Sequence, residues 1–339
     1  MKKPNAEQFL FAANVLADMV LFRQDVGKDV KSILVVKWDE IGDMATATHV
    51  FSLLKKQYPQ AYLTLLCKPF VRDLVSSDPN IDVIVTSVDY FNKRYEMVVE
   101  LRGTWKTLWR SIRHKAKYRV SRAGVRLRNK GRQLHEVTTN FEVVKPLLAP
   151  GTVNEAPRLY YSERDRVKVE DFLASNHIGK YAIIHVGARR KLRQWNLDRF
   201  ALVAQYLRER YGMDIIFAGS AEDNSDIAQV QALLPFASYR FTEGYSLSQF
   251  SCLCSKASFY LGNESGPMHI ASAFEVPLLG LFGPGVPVVF YPRSPRSAVL
   301  HHVLSCNPCD QIHCVHPGNP CISRILVADV LVKVDEILQ

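Results

Sequence analysis

Residues 258–282 read SFYLGNESGPMHIASAFEVPLLGLF. An apolar run from Ser258 to Leu261 meets the glycine-bearing turn GNESGPMH. A helical stretch from Pro267 to Phe274 follows, and a second apolar run spans Pro277 to Phe282. Two short continuous apolar runs on either side of a helix are the mark of neighbouring buried parallel strands, whose crossover needs a dozen or more residues.

Working outward, the same alternation fills the second half of the chain. Strands are expected at Ala182–Val186 and Met213–Ala218, and helices at Leu197–Tyr211, Ser225–Leu234, Leu247–Lys256 and Ile325–Leu338. The first half repeats it, with strands at Ser32–Lys37, Ala61–Cys67, Val83–Val85 and Tyr95–Leu101. Helices are expected there at Met44–Tyr58, Phe70–Ser76 and Phe141–Leu148. The fold class is therefore α/β, with two doubly wound Rossmann-like domains, residues 32–157 and 158–339, joined through the loop Ala149–Pro157. Two such halves are expected to enclose a cleft, with ligands beyond the carboxyl ends of the strands. Residues 1–31 form an N-terminal extension, in which Phe9–Phe22 reads as an amphipathic helix. Lys2 and Lys3 precede it as in a signal peptide. However, no small-x-small cleavage site follows and Asp18 falls inside the apolar stretch. Packing on the protein is favoured over lying on a membrane surface.

Lysine and arginine number 43 against 33 acids, a surplus of ten that points to an anionic partner. No apolar run reaches the roughly 20 residues that span a bilayer. Residues 102–135 carry twelve Lys/Arg and no acid, with Trp105, Trp109 and Tyr118 interleaved. This pattern suits phosphorylated lipid as well as nucleic acid, but nucleic acid explains neither the paired α/β halves nor the GNESGPMH turn, so it ranks below.

Four stretches carry chemistry. In GNESGPMH, Glu264 and Ser265 can face a ligand. Gly266 permits the turn, His269 stands on the first helical turn, and the helix start offers N–H groups to an anion. A capped helix with a partly buried histidine explains the spacing equally well. In Gly187–Trp195 (GARRKLRQW), Arg189, Arg190, Lys191 and Arg193 can clamp a diphosphate or form a solvated basic loop. In Trp38–Asp43 (WDEIGD), Gly42 allows the turn and Asp43 by itself reads as an N-cap. In Gly219–Asp223 (GSAED), an acid at a strand end can accept from ribose hydroxyls. Tyr245, before the helix at Leu247, can lie against an adenine ring. No G-x-G-x-x-G or P-loop is present.

In this order the four stretches resemble glycosyltransferase family 9, the lipopolysaccharide heptosyltransferases, from about Ser32 to the C-terminus. The resemblance is strongest in N-E-S-G-P-M-H with the P-L-L-G-L-F-G-P strand, and next in I-G-D after the first strand. It implies the GT-B architecture and inversion at the anomeric carbon without a required metal cofactor. It further implies a nucleotide-sugar donor, ADP-heptose, in the C-terminal domain and an anionic lipopolysaccharide-type acceptor in the N-terminal one. Asp43 then matches the catalytic base, with Gly42 and Arg102 on the acceptor side. Arg193 falls where the family has a lysine facing the diphosphate, with Arg189 of the same basic loop as a further donor-side candidate, and Asp223 matches an acidic ribose contact. Tyr245 falls at the adenine wall, while Glu264, Ser265, Gly266 and His269 form the donor-facing turn. Three positions depart from the family: Arg193 replaces a lysine, Glu264 an aspartate, and His49 a common proline. The implied location is cytoplasmic, with peripheral contact at the inner face of the membrane. A transferase of another sugar, or a non-catalytic nucleotide-sugar or glycan binder, are the alternatives.

Seven cysteines remain. Cys67, Cys252 and Cys254 read as buried thiols. Cys306, Cys309, Cys314 and Cys321, spaced C-x2-C-x4-C-x6-C, fit either a four-thiolate zinc site or free thiols of a reducing compartment. The metal stays open on sequence alone.

Overall fold

The computed structural model describes residues 16, 27, 29–87, 93–113, 116–129 and 132–339, except the side chains of residues 105, 112–113 and 126–128. The helix expected at Phe9–Phe22 lies outside them, Leu16 apart. Two compact units divide the chain, Met1–Pro157 and Arg158–Gln339.

The first unit holds five parallel strands in the order β3-β2-β1-β4-β5. They are β1 (Ser32–Lys37), β2 (Tyr62–Cys67), β3 (Val83–Val85), β4 (Met97–Glu100) and β5 (Tyr118–Ser121). β1 lies at the centre, with Val36 opposite Leu66 on one side and Glu100 on the other. Its residues are buried from Ile33 to Lys37, as expected of a strand covered on both faces. Where one helix was expected at Met44–Tyr58, two form: α1 (Ile41–Ala45) and α2 (His49–Gln57). Thr46 and Thr48 turn their hydroxyls onto the carbonyls of Asp43 and Ala45, at 3.0 and 3.2 Å, and this back-bonding competes with a continuous helix. α3 (Arg72–Val75) follows β2.

The basic segment, residues 102–135, is structured: α4 (Trp105–Arg113), β5 and α5 (Arg122–Arg128) all lie in it. Arg119 of β5 is buried, donating from Nε to Ser111 Oγ at 3.0 Å and from Nη2 to the Leu108 carbonyl at 3.3 Å. Lys106, Arg110, Lys117 and Arg132 are exposed. The helix expected at Phe141–Leu148 begins earlier, as α6 (Glu136–Val144), and ends in a 3₁₀ turn at Lys145–Leu147.

The second unit holds six parallel strands in the order β11-β10-β9-β6-β7-β8. They are β6 (Tyr181–His185), β7 (Asp214–Ala218), β8 (Tyr239–Phe241), β9 (Phe259–Asn263), β10 (Leu278–Phe282) and β11 (Ser297–His301). Numbered within the unit this is the 3-2-1-4-5-6 order of dinucleotide-binding folds. Its helices are α7 (Glu163–Ser175), α8 (Leu197–Tyr211), α9 (Asn224–Ala232), α10 (Leu247–Lys256), α11 (Gly266–Ala273), α12 (Pro287–Phe290) and α13 (Val327–Leu338). α8 ends at Gly212, whose φ of 62° closes the helix with a left-handed cap. α13 closes the core against α8, where Tyr206 and Tyr211 both donate to the Asp335 carboxylate. Trp195, 1% exposed, anchors the same core and donates from Nε1 to the Ile325 carbonyl at 3.0 Å.

Among the described residues no helix is long and apolar enough to cross a membrane.

Candidate functional site

In sheets of this order ligands bind where the strand order reverses, beyond the carboxyl ends of the two diverging strands. In the first unit that point lies between β1 and β4. The chain leaves β1 through Trp38–Glu40 into α1, and leaves β4 through Leu101–Gly103. These two exits carry Asp39, Gly42, Asp43 and Arg102.

The charge there is dense and mostly buried. Lys37 Nζ lies 3.0 Å from Asp39 Oδ2 and 3.4 Å from Glu136 Oε1. Arg102 pairs with Asp39 Oδ1. Arg122 grips Glu136 with two bonds, 2.5 and 2.6 Å, a forked geometry among the stronger charge-assisted contacts. Burial opposes ionising Glu136, yet Lys37 and Arg122 hold its carboxyl down at about 2. Burial would lower the Lys37 ammonium, but Asp39 and Glu136 leave it raised. Asp43 does not cap its helix: Glu40 is at the N-cap, and Asp43 is the third residue of α1. Burial pushes its carboxyl up to about 6; Lys37 and Arg102 pull it down while Asp39 and Glu136 push it up. A carboxyl near that value is poised for general-base work close to neutral pH. Gly42, half-buried, precedes it and gives its carbonyl to the Thr46 N–H at 3.1 Å.

In the second unit the order reverses between β6 and β9. The loop after β6 brings Arg189, Arg190, Lys191 and Arg193; the turn after β9 brings Glu264, Ser265 and Gly266. Arg193 Nη1 stands 3.3 Å from Glu264 Oε1. Arg189 is exposed, and Lys191 bonds Gln194 and Asp226. Glu264 is 4% exposed, and burial lifts its carboxyl to about 7 against the pull of Arg193. Gly285 leaves the space it fills, since a Cβ there would overlap the carboxylate. α11 begins at Gly266 with Pro267 behind it, and no side chain caps it. Ser265 Oγ turns back to the Asn263 carbonyl at 3.1 Å. A helix start without a side-chain cap, at the positive end of the helix dipole, suits an anion. His269 is buried on α11, its ring 6.2 Å from that of Phe290.

Asp223 sits beside the same loops as the acid of a capping box, taking the Ser220 N–H at 2.7 Å. It packs against Gly187 and Gly219, neither of which has room for a Cβ. Tyr245 stacks on Phe241 with ring centroids 3.8 Å apart and meets Phe172 edge-on at 5.6 Å. Arg193, Glu264, Ser265 and Gly266 are thus brought together, while Asp223 and Tyr245 already hold packing and capping roles.

Several residues went unread in the sequence. Asn263, wholly buried, accepts the Trp195 N–H at 3.0 Å and donates to the Val186 and Gly187 carbonyls at 2.9 and 3.1 Å. It locks the loop after β6 to the end of β9. Buried His185 faces the Ala218 carbonyl through Nδ1 at 2.8 Å; burial lowers its pKa, so the neutral ring carries its proton there. Lys37, a cation ending an apolar run, was the one signal available for the buried network.

All seven cysteines are free thiols, and Cys67, Cys252, Cys254 and Cys321 are buried. Cys306, Cys309, Cys314 and Cys321 line one cavity of about 30 Å³ with Leu192 and Pro284. Among the described residues no group of three His, Cys, Asp or Glu side chains is arranged to hold a metal ion.

Two doubly wound parallel sheets, each with its charged groups at the strand-order reversal, are the architecture of the GT-B glycosyltransferases. The chain belongs to glycosyltransferase family 9 (heptosyltransferase), whose defining pattern matches residues 91–318. It is 24% identical over 276 residues to the lipopolysaccharide core heptosyltransferase OpsX of Haemophilus influenzae, covering 74% of this chain and 79% of that protein. In fold it resembles a family 9 glycosyltransferase from Veillonella parvula, with a TM-score of 0.79 at 20% identity over 92% of this chain and 98% of the other. The ADP-heptose lipopolysaccharide heptosyltransferase II of E. coli gives a TM-score of 0.74 at 20% identity, over 91% and 98%.

Proposed function

We propose that this glycosyltransferase moves a heptose, or a closely related sugar, from ADP-heptose to an anionic lipopolysaccharide-core acceptor, with inversion. The observation that carries the reading is the placement of Asp43, a largely desolvated carboxylate at the reversal point of its sheet, in a chain of this family. The names of the OpsX and heptosyltransferase II relatives support the donor and acceptor classes.

In this reading the acceptor hydroxyl attacks the anomeric carbon while Asp43 takes its proton as general base. The bond from that carbon to the diphosphate oxygen breaks, and its electron pair leaves with the nucleoside diphosphate. The charge developing there meets Arg193, Arg189 and the amides at the start of α11, preorganised donors of the kind that stabilise a leaving anion. Asp223 and Tyr245 serve the ribose and the adenine, and Glu264 and His269 the donor-facing turn. Arg102, Gly42 and the exposed cations of the basic segment serve phosphates and carboxylates of the acceptor, at the cytoplasmic face of the membrane.

Calorimetric titration with ADP, UDP, GDP and ADP-heptose, with and without Mg²⁺, tests the donor. Selective, magnesium-independent binding of ADP and ADP-heptose is the expected result; preference for UDP or GDP discards the heptose, and silence from all four sinks the donor site. Asp43→Ala is expected to lose most acceptor-dependent ADP release while keeping ADP affinity. Equal loss of affinity would make Asp43 structural.

A further inference from the structure

The segment after β11 returns over the loop that carries Arg193. Arg193 Nε donates to Gln311 Oε1 at 2.7 Å, and Arg190 Nη1 donates to the neighbouring Asp310 carbonyl at 2.7 Å. Two consecutive residues of the returning segment therefore hold two guanidinium groups of the loop. From the other side, Glu264 Oε1 stands 3.3 Å from Arg193 Nη1. A guanidinium is planar, so fixing Nε and Nη1 fixes the plane in which its other donors lie.

Gln311 is held in a costly backbone conformation. Its φ of 63° lies in the left-handed region that side chains with a Cβ avoid. Its N–H donates to Cys309 Sγ at 3.3 Å, and the Asp310 carboxylate accepts the N–H groups of Ile312 and His313 at 2.8 and 2.9 Å. Such a conformation persists where the surroundings over-determine it, and here the side chain it aims ends on Arg193. The contact is with a neutral amide, which orients the guanidinium without cancelling its charge.

From this geometry we infer that Gln311 is a positioning residue, setting the plane of Arg193 toward the diphosphate of a nucleoside-diphosphate donor; the inference rests on the donor reading above. Gln311 itself touches no donor atom in this role.

The test is calorimetric titration of ADP into the full chain as wild type, Gln311→Gly, Gln311→Glu, Arg193→Met and the Gln311→Gly/Arg193→Met double variant. Gln311→Gly removes the side chain and relieves the left-handed backbone, so its Tm should hold. Its ADP Kd is expected to rise about tenfold, as for a lost hydrogen bond to a charged group. Gln311→Glu should weaken ADP at least as much by neutralising the guanidinium. In the Arg193→Met background, Gln311→Gly should add nothing, because it acts only through Arg193. Unchanged ADP affinity in Gln311→Gly overturns the inference, and so does an equal loss with Arg193 already removed, which a merely structural loop would give. If the wild type itself binds no nucleotide, the donor reading fails and takes this inference with it, so the wild-type trace tells the two failures apart.

Discussion

Lys37 Nζ sits 3.0 Å from Asp39 Oδ2 where the chain leaves β1, with neither side chain more than 1% exposed. Charges so far from water are weakly screened, and a change at one is felt at its neighbours. Asp43, four residues beyond Asp39, is the neighbour proposed above to take the acceptor's proton.

That coupling gives a pH signature. Asp43 can take a proton only as carboxylate, so kcat/KM should fall as pH drops through about 6, where burial holds the group. An ordinary aspartate would place the limb near about 4. Asp39→Asn removes one of the carboxylates that push Asp43 up, so the acidic limb should move to lower pH. It should move only part of the way, since burial remains the larger cause. The profile is read from acceptor-dependent release of nucleoside diphosphate. A limb that stays in place would assign the titration to another group.

Asn263 supports a second prediction. Its amide donates to two carbonyls and its oxygen accepts one N–H, so each end of the side chain is used. Asn263→Asp keeps the shape and the acceptor, but sets a carboxylate oxygen against the Val186 and Gly187 carbonyls and takes one donor from each, leaving Val186 with Gln194 Nε2 at 3.0 Å. Each group left unsatisfied costs about 1–3 kcal/mol. We expect a loss of roughly 2–4 kcal/mol in urea unfolding. ADP binding should weaken as well, because the loop bearing Arg193 is no longer locked. Stability within about 0.5 kcal/mol of wild type would show that water, or a proton on the introduced carboxyl, takes over the role; such neutrality is ordinary for a surface change but not for this one.

The central strands were legible because strands covered on both faces leave continuous apolar runs: SILVVK in β1, AIIHV at β6, PLLGLF at β10. β5 was not, because Arg119 interrupts its run of four, and only the tertiary contact with Ser111 and the Leu108 carbonyl makes that arginine an interior residue. β8 and β11 lie at sheet edges, where β8 is three residues long and β11 is half-buried throughout, so neither shows an apolar core run. α7 was hidden by its own charge, burying only Val169 fully along thirteen residues. In the site, Asp43, Arg193 and Glu264 could be picked out because local motifs carry them. Glu136 could not, for it reaches Lys37 from 99 residues away, and sequence has no local trace of such a contact. Asn263 stood in plain view inside GNESGPMH, but its partners come from the far side of β6.

Glu264 allows the sharpest thermodynamic check. Burial raises its carboxyl from 4.5 to about 7 in the folded chain, with Arg193 opposing. The fold therefore favours the protonated acid. That contribution is complete below about pH 4.5 and is lost as pH rises through about 7, so an ionised Glu264 weighs against the fold at pH 8. At about 1.4 kcal/mol per pKa unit the penalty is on the order of 3 kcal/mol. Glu264→Gln keeps the shape and removes the charge. It should be more stable than wild type at pH 8 by that order, and should converge with it below about pH 4.5, in chemical unfolding followed across pH. A variant less stable than wild type at pH 8 would mean that attraction to Arg193 outweighs burial. Glu264 would then be a charge held by its partner rather than one the donor turn forces out of water.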